Sequence, residues 1–100
     1  MTREEHLLTI IAEECSEIAK HCTKALRFGL DSGYPNDVNN AQGIVLEFLD
    51  LSAVIEMLRE SSEIMKTAAL STSVDDVLAV KKAKVETFLE YSAERGRLTK

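Results

Sequence analysis

The sequence predicts an all-α protein, a compact helical bundle. Three long segments repeat apolar residues at spacings of three and four, which is the period of a helix. Glycine and proline are scarce, with four Gly and one Pro in 100 residues, and they fall mainly in one stretch. No segment alternates apolar and polar residues over enough length to predict a strand. We therefore expect three main helices, with or without a short fourth, in a single domain spanning residues 1–100.

The first helix is predicted over residues 3–27. Its apolar stripe consists of Leu7, Ile11, Cys15, Ile18, Cys22 and Leu26. Cys15 and Cys22 lie about 10 Å apart along the helix axis, too far for a disulfide between them. We interpret both as small reduced core residues. Residues 28–40 read FGLDSGYPNDVNN and form a loop, since they hold two glycines, the proline and several Asp and Asn residues.

The second helix, residues 41–63, has apolar residues around most of its circumference. They are Ile44, Leu46, Phe48, Leu51, Val54, Ile55, Met57 and Leu58. A helix of this kind packs on more than one side, which favours burial by another subunit. Residues 64–72 are compatible with an extension of this helix, a short helix of their own or a turn.

The third helix is predicted over residues 74–95. Ser73 suits its N-cap, and two aspartates follow in its first turn, where the helix dipole favours negative charge. Gly96 suits its end.

Composition narrows the classes of partner. Apolar residues make up 45% of the chain and charged residues 29%, which is typical of a globular domain. The formal charge of −5 argues against a nucleic-acid polymer or an anionic membrane as the main partner and leaves room for metal cations. No stretch has the length and apolarity of a bilayer span or a signal peptide, so the expected location is the cytoplasm.

Carboxylates interrupt both of the first two helices, in EECSE at residues 13–17 and in EFLD at residues 47–50. Around the first helix, Glu14 lies about 60° from the centre of the apolar stripe, Glu17 about 120° and Glu13 about 160°. Glu13 is therefore expected in water. On the second helix, Glu47 shares the sector of Val54 and Leu58, and Asp50 lies beside Met57, so both acids are expected to face the core.

Each helix thus offers two carboxylates at i and i+3 on one face. If the helices pack antiparallel, the four acids converge, and their mutual repulsion is relieved by a hard divalent cation such as Mg²⁺ or Mn²⁺. The structural alternative is a solvated charged face. That alternative describes EECSE well, but it fits Glu47 and Asp50 poorly because they lie on an apolar face.

The pair EECSE and EFLD resembles the EExxE and ExxD signature of the MazG-like all-α nucleoside triphosphate pyrophosphohydrolases. KALRFG, DLSAVIEML and KVETFLEYS resemble the small single-domain members that bacteriophages often encode. The spacer of 29 residues between Glu17 and Glu47 is slightly longer than is usual in that family.

The resemblance implies Mg²⁺-dependent hydrolysis of an NTP or dNTP to the monophosphate and pyrophosphate, with Mn²⁺ as an alternative ion. It implies metal ligation by Glu14, Glu17, Glu47 and Asp50, the same four acids that helix geometry selects. It also implies a homodimer or a dimer of dimers in the cytoplasm, which is the host cytoplasm if the chain is phage-encoded. Glu13 either helps to orient the water or a neighbouring group, or is simply exposed.

The implied reaction also needs residues that accept a proton, bind the phosphates and contact the base and sugar. Glu14 or Glu17 is expected to accept the proton of the attacking water, and the expected phosphate contacts are Lys24, Arg27, Lys81 and Lys84, for which solvated surface positions are the alternative. Asn40, with Phe28, Tyr34 and Asn39, is expected to meet the base and sugar, whereas Phe28 and Tyr91 equally suit core positions. His21 is expected to hydrogen bond to Glu17, and His6 to be exposed.

Two other classes fit the helical pattern. A di-iron carboxylate bundle needs Glu-x-x-His pairs, and neither His6 nor His21 has a glutamate three residues before it. A non-catalytic helical module that binds a nucleotide or a protein would use the same acids without releasing pyrophosphate.

Overall fold

The computed structural model describes residues 1–33 and 38–99, and every regular element within them is helical. Four α-helices follow one another: α1 (Arg3–Phe28), α2 (Asn40–Ser61), α3 (Glu63–Leu70) and α4 (Val74–Glu94). The chain divides into two compact units, Met1–Lys66 and Thr67–Lys100. The all-α class is confirmed, and residues 64–72, which the sequence left open, contribute most of the short fourth helix.

Side chains in the sequence set the helix starts. Thr2 and Glu5 form a capping box at α1, in which each side chain bonds the other residue's backbone N–H at 3.1 Å. Asn39 and Gln42 form a second box at α2. The predicted N-cap Ser73 accepts a hydrogen bond from the backbone of Asp76 at the start of α4. Each box satisfies two backbone groups that a helix terminus otherwise leaves unpaired.

Two residues that leave the helical conformation mark the ends of helices. Ser62 adopts an extended conformation between α2 and α3, so the second helix ends at Ser61 and not at residue 63 as predicted. Gly96 follows α4 with a φ of +71°, a left-handed conformation that glycine adopts without strain, and its predicted place at the helix end is confirmed.

In the first unit, α1 and α2 pack against each other as an antiparallel pair. Close approaches run in opposite directions along the two helices: His21 lies against Gly43, whereas Glu14 lies beside Glu47 and Asp50. The less exposed residues recur at spacings of three and four on both helices. On α1 they include Leu7, Ile11, Glu14, Ile18, His21 and Ala25, and on α2 Asn40, Ile44, Glu47, Leu51, Val54 and Leu58.

These less exposed residues form the seam between α1 and α2. On α1 they differ from the apolar stripe that the sequence predicted. Cys15 and Cys22 are exposed, and Leu26 is 88% exposed, so the interpretation of the cysteines as core residues is wrong. Glu14 and His21 take the inward places instead, one position earlier in the sequence, which is about 100° around the helix. Among the described residues, the buried apolar side chains are Leu7 and Leu58.

The outer surface of the first unit and the whole of α4 carry large exposed apolar side chains. Val45, Leu46, Phe48 and Leu49 on α2 are each more than half exposed. No residue of α4 is buried, although that helix carries Val77, Leu78, Val80, Val85, Phe88 and Leu89. No helix of the described residues is long and apolar enough to cross a membrane.

Candidate metal centre

The seam between α1 and α2 brings the predicted acids together in two overlapping groups. Glu14, Glu47 and Asp50 form the first, in which one carboxylate oxygen from each residue lies within 4.8 Å of the others. Glu17, His21 and Glu47 form the second, with the same limit on their ligand atoms. Glu47 belongs to both groups. The antiparallel packing of the helices is what places two acids of α1 opposite two acids of α2.

The four acids differ in how far their side chains are buried. Glu14, Glu17 and Glu47 are partly buried, with Glu47 in the sector of Val54 and Leu58 as expected. Asp50 is exposed, so its predicted core-facing position is wrong. Leu51 is the residue that faces α1 at this turn of α2. Asp50 comes one position earlier, so its carboxylate lies at the edge of the first group.

No basic side chain neutralises these acids in the part of the chain that the structure describes. The ion pair found there joins Lys66 and Glu63 at 3.2 Å, within the short helix α3. Oε2 of Glu14 is buried and receives no hydrogen bond. Carboxylates that are withdrawn from water without a cation or a donor are costly, so this cluster needs either protons or a bound cation.

The electrostatics of the cluster appear most clearly at Glu14. Its pKa is raised from 4.5 to about 7, first because a hydrogen bond shared with Glu47 favours the protonated acid, and then because of burial. The negative charges of Glu47, Asp50 and Glu17 raise this pKa further. At neutral pH without a cation, the Glu14 carboxyl is therefore protonated in a large share of molecules.

Gly43 is a packing position beside the cluster that the sequence reasoning missed. It is buried on α2, and a Cβ atom there would overlap the imidazole ring of His21. The signal that could have found it is a glycine inside a helical segment, where glycine costs about 1 kcal/mol relative to alanine. His21 does not form the expected hydrogen bond to Glu17, and its Nδ1 is buried without a partner.

The predicted base and sugar contacts have structural partners of their own. Asn40 is buried, and its side-chain amide donates to the carbonyl of Gly29 at 2.9 Å, which ties the two ends of the loop together. Asn39 is engaged in the capping box of α2. Phe28 is about half exposed, and Tyr34 lies outside the described residues. Tyr91 is exposed on α4.

The predicted phosphate contacts lie at the surface. Lys24 is partly buried on α1, one turn after His21. Arg27 is exposed, and its guanidinium lies over the Phe28 ring, 4.7 Å from the ring centroid. Lys81 and Lys84 are exposed on α4, where they line a shallow groove together with Val77 and Val80. His6 and Glu13 are exposed as expected.

The donor atoms of the cluster fit a divalent cation. The first group offers three carboxylates and no nitrogen or sulfur, which is the set that Mg²⁺ and Mn²⁺ accept. The unpartnered Oε2 of Glu14 leaves coordinating capacity in its interior. Comparisons with family models, curated proteins and solved structures found no match for this chain.

Proposed function

We propose that this chain is a divalent-metal-dependent nucleoside triphosphate pyrophosphohydrolase of the MazG-like kind, acting in the cytoplasm. The observation that carries the proposal is the convergence of Glu14, Glu17, Glu47 and Asp50 from two antiparallel helices, with no ion pair to a lysine or arginine among residues 1–33 and 38–99. EECSE and EFLD, the sequence motifs that resemble this family, are the segments that supply these four acids.

The proposed reaction breaks the bond between the α-phosphorus and the oxygen that bridges it to the β-phosphate. The oxygen of a water forms the new bond to the α-phosphorus, and pyrophosphate leaves. When bound, the divalent ion supplies charge neutralisation for the phosphates and makes a nearby water more acidic.

The chain's own residues have three tasks in this proposal. Glu47 and Asp50 hold the cation from α2, and Glu14 and Glu17 hold it from α1. Glu14 or Glu17 also accepts the proton that the attacking water loses.

Basic side chains are proposed to bind the phosphates. Lys24 and Arg27 lie one turn apart at the end of α1, beside the loop, and Lys81 and Lys84 lie on α4. Asn40 joins the two ends of the loop through its bond to Gly29 and is proposed to shape the nucleotide site.

We propose further that the active form is a homodimer or a dimer of dimers. The support is the amount of exposed apolar surface: the outer face of α2 and the entire length of α4 carry aliphatic and aromatic side chains in solvent. Large exposed apolar patches typically mark interfaces. Sedimentation of the chain as a monomer at micromolar concentration would contradict this part of the proposal.

The deciding experiment is a panel of standard and modified nucleoside triphosphates with Mg²⁺, scored separately for pyrophosphate and orthophosphate. We expect pyrophosphate from at least one nucleotide, and water labelled with heavy oxygen should place its label in the monophosphate. Release of orthophosphate alone would contradict cleavage at the α-phosphorus. Nucleotide binding without any product would favour the non-catalytic module.

A further inference from the structure

The second group of the cluster, Glu17, His21 and Glu47, differs in chemistry from the first. It contains an imidazole, and one ligand atom from each of its three residues lies within 4.8 Å of the others. Its side chains come from both helices, so the group exists only when α1 and α2 are paired. All three residues are partly buried.

The backbone of α2 is shaped to accept the imidazole. His21 lies directly on Gly43, at a distance that leaves no room for a Cβ atom: one built on residue 43 would fall 2.7 Å from Nε2 and closer still to two other ring atoms. Glycine in a helix interior lowers helix stability by about 0.5–1 kcal/mol relative to alanine. This cost falls at Gly43, where the absence of a side chain lets the His21 ring lie between the two helices.

One nitrogen of the imidazole has no hydrogen bond. Nδ1 of His21 is buried and has no hydrogen-bond partner, although a buried ring nitrogen normally has one. Glu17 and Glu47 form no ion pair with a lysine or arginine within residues 1–33 and 38–99. The group therefore combines two uncompensated carboxylates with an unsatisfied nitrogen.

We propose that Glu17, His21 and Glu47 form a second cation site that takes a divalent first-row transition-metal ion in preference to Mg²⁺. Imidazole is a softer ligand than carboxylate and suits the later ions of the series, whereas Mg²⁺ favours oxygen alone. This inference deepens the proposed function and rests on it in one respect: Glu17 and Glu47 are also ligands of the proposed magnesium site, so the two sites share two carboxylates.

The test is pulsed electron paramagnetic resonance of the protein with Mn²⁺ below one equivalent and Mg²⁺ in excess, so that Mg²⁺ competes for the all-oxygen group. Mn²⁺ is the probe because it reports nitrogen ligands directly and has little affinity for the exposed thiols of Cys15 and Cys22. We expect modulation from a directly bound imidazole nitrogen. Its frequency should change when the chain contains histidine labelled with heavy nitrogen.

Two histidine variants provide the comparison. His21→Gln should abolish the nitrogen signal and weaken Mn²⁺ binding about 10-fold or more, as expected for loss of a coordinating group. His6→Gln changes the exposed histidine near the start of α1 and should leave both unchanged. Gly43→Ala gives a second route, because it keeps His21 but displaces its ring, and should also remove the signal.

Failure of this inference is distinguishable from failure of the proposed function. Bound Mn²⁺ without imidazole modulation, or with modulation that survives in His21→Gln, overturns the nitrogen site, whereas Mg²⁺-dependent pyrophosphate release in the same preparation would still support the enzyme. The nitrogen signal without any pyrophosphate overturns the activity and supports the site. Absence of any bound Mn²⁺ overturns the nitrogen site, and the Mg²⁺-dependent release of pyrophosphate then decides the activity separately.

Discussion

The inner and outer faces of the α1–α2 pair contrast in a way that is unusual for a globular domain. The inner seam holds three half-buried glutamates and a histidine between its apolar residues. The outer surface holds Leu26, Val45, Phe48 and Leu49, each at least about half exposed. Polar groups usually face water and large apolar groups the interior. This inversion is the basis of the two proposals made above, a cation at the seam and a second copy of the chain on the outer face.

The largest effect on activity is expected from replacing Glu47 on the inner face. Glu47→Gln keeps the size of the side chain but removes the carboxylate that both groups share. We expect pyrophosphate release to fall about 100-fold or more, since loss of supporting groups around a metal already costs 10–100-fold.

The matched control for Glu47 is Glu60→Gln, the same change at an exposed position of the same helix. It should retain turnover within about twofold, because isolated surface substitutions have small effects. Equal activity of the two variants would remove Glu47 from the site.

The variant Leu26→Glu tests whether a second copy of the chain covers the outer face. Leu26 is 88% exposed in the single chain, so a charge there costs little unless a second copy covers it. If it is covered, the dimer dissociation constant should rise about 30-fold, which corresponds to losing about 2 kcal/mol of apolar burial. Analytical ultracentrifugation measures the constant.

Thr23→Glu is the control for charge alone, because Thr23 is an exposed polar residue one turn earlier on α1. An unchanged dissociation constant for Leu26→Glu would place Leu26 outside the interface.

Gly43→Ala tests how the inner face is packed. With His21 present, the added methyl group overlaps the ring, and we expect the free energy of unfolding to fall by about 1–3 kcal/mol. In a His21→Ala background the same change should stabilise the helix by about 0.5–1 kcal/mol. Urea denaturation of the four proteins measures the difference, and equal effects in both backgrounds would exclude the His21–Gly43 contact.

The smallest effect is a pH dependence that comes from Glu14. Its folded pKa of about 7 exceeds the ordinary 4.5, so the folded state binds more protons than the unfolded state between these values. Without a divalent cation, this group's stabilising contribution is complete below about pH 4.5 and is lost as pH rises to about 7.

Two changes should flatten this slope. Glu14→Gln mimics the protonated acid at every pH, and saturating Mg²⁺ favours the ionised carboxylate. Thermal unfolding at a series of pH values, with and without Mg²⁺, measures both. A slope that persists unchanged in Glu14→Gln would assign the pH dependence to another group.

The helices could be predicted from the sequence because local signals fix them. Apolar spacing gave α1, α2 and α4 within about two residues, which is the usual uncertainty of helix ends. Ser73 and Gly96 marked the limits of the last helix. The same local chemistry was available in Thr2-x-x-Glu5 and Asn39-x-x-Gln42, two capping boxes that the prediction passed over.

Which residues of each helix point toward the other helix could be predicted only in part. Glu47 was placed inward correctly because its sector also holds Val54 and Leu58. Cys15, Cys22 and Asp50 were placed wrongly because both helices have more than one apolar direction, and periodicity cannot choose which of them meets the partner helix. The His21–Gly43 contact depends on that choice, so it becomes visible only in three dimensions.

Thermal unfolding of the wild-type chain and of Glu47→Gln across a Mg²⁺ titration tests the central claim most directly, namely that the carboxylates of the seam hold a divalent cation. A ligand that binds only the folded state raises the unfolding temperature with its concentration. We predict a progressive rise for the wild type and little or none for Glu47→Gln. An unfolding temperature that ignores Mg²⁺ in the wild type, or rises equally in both, would contradict the account.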